Sequence, residues 1–261
     1  IADLGCVITI SHSGYIKRVP VSTYRQQRRG GKGVVGMETK EEDYVEHVFT
    51  ASTHDYILFF TKSGRVHWKK VYEVPEGGRT SRGKAMVNLL DIAADEKVAA
   101  MIRVREFSEA QHLVMATEHG VVKKTNLSAF KNPRVGGIIA IQIDEGDQLI
   151  GVKLTNGQDD LILVTHQGMS IRFHEGQLRD QGRDTRGVKG ITLGKKDDKV
   201  ECVEVVEASS TLLAITENGY GKRTAFDEYP VQNRSGKGVI TIKTTERNGM
   251  VVGAHAVHEN D

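Results

Sequence analysis

Five short apolar runs recur along the chain, and each is followed by a polar residue, a glycine and a basic segment. With their turns, these runs read VITISHSG, ILFFTKSG, LVMATEHG, LILVTHQG and LLAITENG, and they end at Gly14, Gly64, Gly120, Gly168 and Gly219. Each run predicts the first strand of a β-hairpin, because glycine adopts the positive φ of a tight turn without steric cost. The intervals between the turn glycines are 50, 56, 48 and 51 residues. The chain therefore contains five repeats of about fifty residues.

The register of the repeats continues beyond the hairpin. A large apolar residue stands ten positions after each turn glycine, at Tyr24, Val74, Phe130, Leu178 and Tyr229. Four repeats then carry arginine, a second base and glycine in the pattern R-x-x-[KR]-G, which we name the basic loops: 29–33, 79–83, 183–187 and 234–238. The third repeat departs from this pattern, because it reads KNPRVGGII and has Ile138 where a base is expected.

The order of segments within a repeat predicts the fold class. A β-branched or apolar run follows each basic loop, and an acidic segment and a further strand come next, whereas helical periodicity is nearly absent. The acidic segments are 41–43, 95–96, 144–147 and 197–198. Four short strands per repeat predict an all-β fold, a propeller-like array of four-stranded blades. A β-sandwich is the alternative, but five copies in register favour the radial array. We interpret residues 1–261 as a single domain from a longer subunit, with blades starting near residues 7, 56, 112, 161 and 212.

Charge is sorted by position in the repeat, although the net charge is only +2. Residues 15–33 contain six bases and no acid, whereas residues 34–48 contain five acids and one base. If the blades form a ring, the recurring bases gather into a rim that suits the phosphates of a nucleic acid. The predicted rim residues outside the first loop are Lys17, Arg18, Arg65, Lys69, Lys70, Arg79, Arg82, Lys84, Lys123, Lys124, Lys131, Arg134, Arg172, Arg183, Arg186, Lys189, Lys222, Arg223, Arg234 and Lys237. Simple solvation of these charges, or binding of an acidic protein partner, are the alternatives.

Other chemistry finds little support in the residue pattern. A nucleotide-binding P-loop needs Ser or Thr after its Gly-Lys and a helix beyond, but Gly33 and an apolar run stand there. We predict no catalytic site, no metal and no cofactor, and we expect the histidines that flank strands to be surface residues: His67, His112 and His119. Trp68 replaces the base that other repeats carry at the same place, and we expect it to pack. Two distant cysteines and the lack of an apolar run of about 20 residues favour the cytoplasm, with no membrane contact.

The first basic loop carries a resemblance to a known family. Its spelling Q-R-R-G-G-K-G at Gln27, Arg28, Arg29, Gly30, Gly31, Lys32 and Gly33 resembles the gyrase A box of the C-terminal domain of DNA gyrase A subunits. The segments at 1–24, 219–230 and 246–254 are similar to that domain as well. The resemblance covers essentially the whole chain. A topoisomerase IV-type domain is the related alternative, and the intact box favours gyrase.

The resemblance implies a fold, a function and partners. It implies a β-pinwheel, in which propeller-like blades exchange a strand, six in most gyrase members against the five repeats counted here. It further implies that the domain is not an enzyme on its own. In that family it binds double-stranded DNA on its rim, near the nucleoid, and wraps it in a right-handed sense. The seven residues of the box are required for wrapping, which serves an ATP-dependent type II topoisomerase built from the gyrase B subunit and the rest of the gyrase A subunit. We expect the isolated domain to be monomeric.

Overall fold

A computed structural model describes residues 1–24, 29–33, 35–39, 42–259 and 261. Its strands are β1 (Gly5–Ser11), β2 (Tyr15–Pro20), β3 (Val45–Ser52), β4 (Tyr56–Thr61), β5 (Arg65–Lys70), β6 (Lys84–Ala85), β7 (Val98–Val104), β8 (His112–Thr117), β9 (Val121–Asn126), β10 (Ile138–Ile139), β11 (Leu149–Thr155), β12 (Asp160–Thr165), β13 (Met169–His174), β14 (Val188–Lys189), β15 (Val200–Val205), β16 (Thr211–Thr216), β17 (Gly221–Ala225), β18 (Val239–Ile240) and β19 (Val251–Val257). Short 3-10 helices occupy Val21–Thr23, Val71–Glu73, Met86–Asn88, Leu127–Phe130, Glu175–Gln177 and Phe226–Glu228. The predicted all-β, propeller-like fold is confirmed.

The strands form five antiparallel sheets, one for each repeat. The sheet orders are β3-β1-β2-β6, β10-β5-β4-β7, β11-β8-β9-β14, β15-β12-β13-β18 and β17-β16-β19. Each sheet, or blade, has a hairpin in its middle and a long strand on one side. The first four blades carry a two-residue strand on the other side. The fifth blade has three strands among the described residues.

The two-residue strand of each complete blade comes from the following repeat. β6 of the second repeat pairs with β2 of the first, so that Tyr15 lies opposite Ala85. β10, β14 and β18 pair in the same way with β5, β9 and β13. Each blade is thus completed by its successor, and the strand exchange that the resemblance implies is present in the structure.

Packing between successive blades explains why the apolar runs are continuous rather than alternating. In β12, Leu161 and Leu163 belong to the core shared with the third blade. Ile162 and Val164 belong to the core shared with the fifth blade. Both faces of a hairpin strand are buried, so both sets of side chains are apolar.

The long strand of each blade lies at the centre of the ring. Segments of β3, β7, β11, β15 and β19 line one cavity of about 640 Å³. The opposite edge of each sheet, with its exchanged strand, is therefore the outer rim. Acidic segments stabilise the hairpin turns, because carboxylates accept backbone N–H bonds there at 2.9 Å: Asp43 from Ser13, Asp147 from His119 and Asp198 from Gln167.

Candidate nucleic-acid interface

A segment of the next repeat runs along the second hairpin strand of a blade before its basic loop begins. Arg18 forms a parallel bridge with Glu76, Lys124 with Asp180, and Arg172 with Val231. In each pair the first residue follows its turn glycine by four positions and the second follows the next turn glycine by twelve. The structure therefore brings the basic loops 79–83, 183–187 and 234–238 to equivalent places on the outer edges of the first, third and fourth blades.

Most of the predicted rim residues keep their side chains at least partly accessible. The exposed ones are Arg82, Lys84, Lys131, Arg134, Arg186, Lys189, Lys222, Arg223 and Lys237. The half-buried ones are Arg18, Arg65, Lys69, Lys70, Arg79, Arg172, Arg183 and Arg234. The recurring bases are thus distributed over all five blades, in register with the repeat.

Three predicted rim residues are buried, and their assignment to the rim is corrected. Lys17, Lys123 and Lys124 are all less than a tenth exposed. The Lys124 ammonium donates to the carbonyl of Glu175 at 3.1 Å and lies 3.8 Å from its carboxylate. Desolvation lowers the pKa of Lys17 and brings that of Lys123 to about 8. Buried ammonium groups that are bonded to the protein are not available to phosphate.

In the first four blades, the residue four positions after the turn glycine also joins neighbouring blades. Arg18 Nε donates to the carbonyl of Val74 at 3.0 Å. Trp68 Nε1 donates to the carbonyl of Phe130 at 2.8 Å. Val74 and Phe130 hold the same repeat position, ten residues after their turn glycines. Trp68 is buried, so its predicted packing role is confirmed. Its neighbour His67 is buried as well, and the expectation of a surface position for it was wrong.

The apolar residue ten positions after each turn glycine packs beneath the start of the loop segment, toward the blade core. Val74, Phe130, Leu178 and Tyr229 are buried, and the Tyr229 hydroxyl is hydrogen bonded to Thr241. Tyr24 is partly buried. These side chains hold the start of each loop segment against the blade core.

Glycine closes the basic loops 79–83, 183–187 and 234–238 because each of these loops crosses a strand at close range. A Cβ on Gly83 would lie 2.4 Å from the carbonyl oxygen of Ile16, and one on Gly238 would lie 2.0 Å from that of Ser170. Both glycines have positive φ, +85° and +76°. The repeated glycine therefore serves blade-to-blade packing, a role that the sequence pattern alone did not reveal.

The first basic loop differs from the others. Arg29, Gly30, Gly31, Lys32 and Gly33 are all exposed. A Cβ on Gly33 would meet no other described atom within 4 Å, although its φ is +70°. Two residues of the predicted box, Gln27 and Arg28, lie outside the described residues, as does residue 41 of the first acidic segment.

Acids accompany some of the rim bases. Arg186 Nε lies 2.9 Å from a carboxylate oxygen of Asp144, and Arg18 Nη1 lies 3.3 Å from Glu76. The Arg186 side chain is nevertheless 67% exposed, so it remains open to a ligand. Exposed ion pairs of this kind contribute little to stability, about 0–1 kcal/mol.

Two other classes of site have no counterpart among the described residues. No group of three or more His, Cys, Asp or Glu side chains there could hold a metal ion. The same residues contain no helix that is long and apolar enough to cross a membrane.

Comparisons with known proteins agree with the architecture. A family model described as "DNA gyrase C-terminal domain, beta-propeller" matches residues 7–52, 55–105, 111–156, 159–207 and 210–258. The DNA gyrase A subunit of Salmonella typhimurium is 48% identical over 255 residues, which are 98% of this chain and 29% of that protein. The Staphylococcus aureus protein of the same name is 51% identical over 249 residues, 94% of this chain and 28% of that protein. The chain thus spans less than a third of the length of these relatives.

Solved structures resemble the fold over nearly the whole chain. A DNA gyrase A C-terminal domain aligns with a TM-score of 0.82 at 24% identity and covers 98% of this chain and 83% of that one. The C-terminal domain of a DNA topoisomerase IV aligns with a TM-score of 0.80 at 25% identity and covers 99% and 79%. The five matched segments and the identity to gyrase A subunits decide the assignment: the chain belongs to the DNA gyrase C-terminal domain family.

Proposed function

We propose that this chain binds double-stranded DNA without sequence preference and bends it around the outer rim. The observation that carries the proposal is the recurrence of basic loops at equivalent places on the outer edges of the first, third and fourth blades. Exposed bases of this kind neutralise backbone phosphates, and phosphate contacts carry no base readout. The candidate contacts are the box residues Gln27, Arg28, Arg29, Gly30, Gly31, Lys32 and Gly33 and the accessible rim bases named above.

Bending, rather than binding alone, follows from the curvature of the ring. Smoothly bending 20–30 bp of duplex by 40–90° costs roughly 1–6 kcal/mol. Contacts distributed over several blades can offset this cost, because each hydrogen bond to a charged group contributes about 1.5–3 kcal/mol net of exchange with water, before screening by salt is counted. A path that follows the rim in a right-handed sense gives the bound DNA positive writhe.

The wrapped segment serves a larger enzyme in this proposal. The chain acts in the cytoplasm as an accessory domain of an ATP-dependent type II topoisomerase, beside the gyrase B subunit and the rest of the gyrase A subunit. Positive writhe captured on the rim biases strand passage toward negative supercoils. Membership of the DNA gyrase C-terminal domain family supports this role.

Salt-dependent DNA binding tests the first step. We compare the wild-type chain with Arg82→Gln/Lys84→Gln, which removes one exposed rim charge of the basic loop 79–83 and one directly beside it. The control is Lys195→Gln/Lys196→Gln, which removes two exposed charges outside the basic loops. The logarithm of the association constant for a 40-bp duplex should fall with the logarithm of salt concentration. The slope should be shallower by about 1.8 in the loop variant, since each neutralised phosphate contributes about 0.9.

The control should keep the wild-type slope. Equal slopes in the loop variant and the wild type contradict the assignment of the rim. Competition by polyglutamate but not by duplex DNA instead favours an acidic protein as the partner.

A further inference from the structure

Two buried lysines occupy one position of the repeat, three residues after the turn glycine. Lys17 is 0% exposed and Lys123 is 1% exposed. An ammonium group leaves water at a large cost unless hydrogen bonds replace its hydration. Neither lysine can reach DNA, so their partners decide what they do.

Both lysines donate to backbone carbonyls of the next repeat's basic loop. Lys17 Nζ lies 2.6 Å from the oxygen of Arg79 and 2.8 Å from that of Ser81. Lys123 Nζ lies 2.5 Å from the oxygen of Arg183 and 3.3 Å from that of Thr185. Arg79 and Arg183 stand fifteen residues after their turn glycines, and Ser81 and Thr185 stand seventeen after. The lysines of two different blades therefore donate to carbonyls at the same two positions of the repeat.

A third carbonyl completes each set. Lys17 also donates to Gly78 at 2.9 Å, and Lys123 also donates to Ala140 at 2.7 Å. Every hydrogen of each ammonium thus has an acceptor, since Lys offers three donors. The capture is specific because the donors and acceptors match in number.

A buried lysine is found where the loop that it holds contains two arginines. The loops they hold, R-T-S-R-G at 79–83 and R-D-T-R-G at 183–187, have two arginines. The fourth blade has Ile171 at the equivalent position, and its loop, R-S-G-K-G at 234–238, is held through Gln177, which accepts from the Arg234 amide at 2.8 Å. Lysine capture therefore goes with paired arginines.

We propose that Lys17 and Lys123 are positioning residues for DNA contact: each fixes the backbone of the following repeat's basic loop, so that the two arginines of that loop meet the duplex. The loop is held at two points, by the lysine at its start and by glycine packing at its end. A Cβ on Gly187 would lie 2.6 Å from the carbonyl oxygen of Val122, one residue before Lys123. Between these points Arg186 is exposed and Arg183 is half-buried. This inference rests on the proposed function.

A double-mutant comparison tests the inference through Lys123. We measure the salt slope of duplex binding for the wild-type chain, Lys123→Met, Arg183→Gln/Arg186→Gln and the triple variant. Methionine keeps the length of the side chain and removes the donors. Lys123→Met should make the slope shallower by about 0.9–1.8, as loss of one or two phosphate contacts does. The slope of the triple variant should be no shallower than that of Arg183→Gln/Arg186→Gln, because the lysine acts through those arginines.

The control and the contradicting outcomes separate positioning from a purely structural role. Lys196→Met removes an exposed charge outside the loops and should leave the slope unchanged. If Lys123→Met folds with lower stability but keeps the wild-type slope, this inference is overturned and the proposed function is not. A slope in the triple variant that is shallower than in the arginine pair also overturns the inference, because the lysine would then act independently of the arginines. A wild-type chain without salt-dependent binding overturns both the proposed function and this inference.

A second position and a second measurement cover the case in which Lys123→Met does not fold. The same comparison applies to Lys17→Met with Arg79→Gln/Arg82→Gln.

On the wild-type chain, labelling with an amine-reactive ester followed by mass spectrometry should leave Lys17 and Lys123 unmodified, with and without DNA. Lys222 has the same position in the fifth blade and is exposed, so it should react when DNA is absent. Equal labelling of Lys17, Lys123 and Lys222 contradicts capture.

Discussion

At the scale of single residues, the glycine that ends a basic loop lies against the backbone of the preceding blade. Gly83 has this contact with Ile16, whereas Gly33 has positive φ and no such contact among the described residues. A non-glycine residue in the left-handed region costs roughly 1–2 kcal/mol. An overlap with backbone adds to that cost, because the strand must move. Comparing substitutions at the two glycines therefore separates the cost of conformational strain from the cost of lost packing space.

Alanine substitution at these glycines should give unequal losses of stability. We expect Gly33→Ala to lower the free energy of unfolding by about 1–2 kcal/mol through strain alone. Gly83→Ala should lower it by a further 1–3 kcal/mol or so. Urea denaturation of both variants and the wild type measures the difference. Equal losses would mean that the close approach of Gly83 to Ile16 does not contribute.

The buried lysines mark the limit of what the sequence predicts for single residues. Lys17 and Lys123 stand in base-rich segments, and charge patterning alone predicts an exposed rim position for them. Their carbonyl partners Arg79 and Arg183 come 62 and 60 residues later in the chain. No local pattern shows that two such segments meet. Arg82 and Arg186 also stand in base-rich segments, and their side chains are exposed.

At the scale of strands, the hairpins were predictable and the exchanged strands were less so. An apolar run, a turn glycine and a second strand lie within about fifteen residues, so local chemistry decides the hairpin. The exchanged strands β6, β10, β14 and β18 have two residues each, which is too short for any periodicity. Their place in the preceding blade depends on long-range pairing, for which only the family resemblance gave a signal.

The fifth blade offers a test of this pairing in amide hydrogen exchange. The amide of Arg18 in β2 donates to the carbonyl of Pro75 at 2.9 Å. Arg223 has the same register position in β17, which lies at the edge of a three-stranded sheet among the described residues. The Arg223 amide should therefore exchange at least about ten times faster than the Arg18 amide, as unpaired edge groups do. Equal protection, measured by NMR, would show that β17 has acquired a further neighbour in solution.

At the scale of the whole molecule, the ring turns a repeated basic loop into a curved surface. Strand exchange joins each blade to the next, and the apolar cores between blades keep successive loops in register. A stiff duplex that follows such a surface must curve with it. Binding to the rim should therefore change the shape of the DNA.

Relaxation of a closed circular plasmid in the presence of this chain measures the change in DNA shape. A nicking-closing topoisomerase relaxes the DNA at saturating protein, and the linking number is read after the protein is removed. The linking difference should become positive and grow with the amount of bound protein. The shift per bound molecule should be smaller for Arg29→Gln/Lys32→Gln, because this variant lacks two charges of the box, while it still binds DNA through the bases of the other blades. An unchanged linking number at saturation, or a negative shift, would show that the chain does not wrap DNA in a right-handed sense.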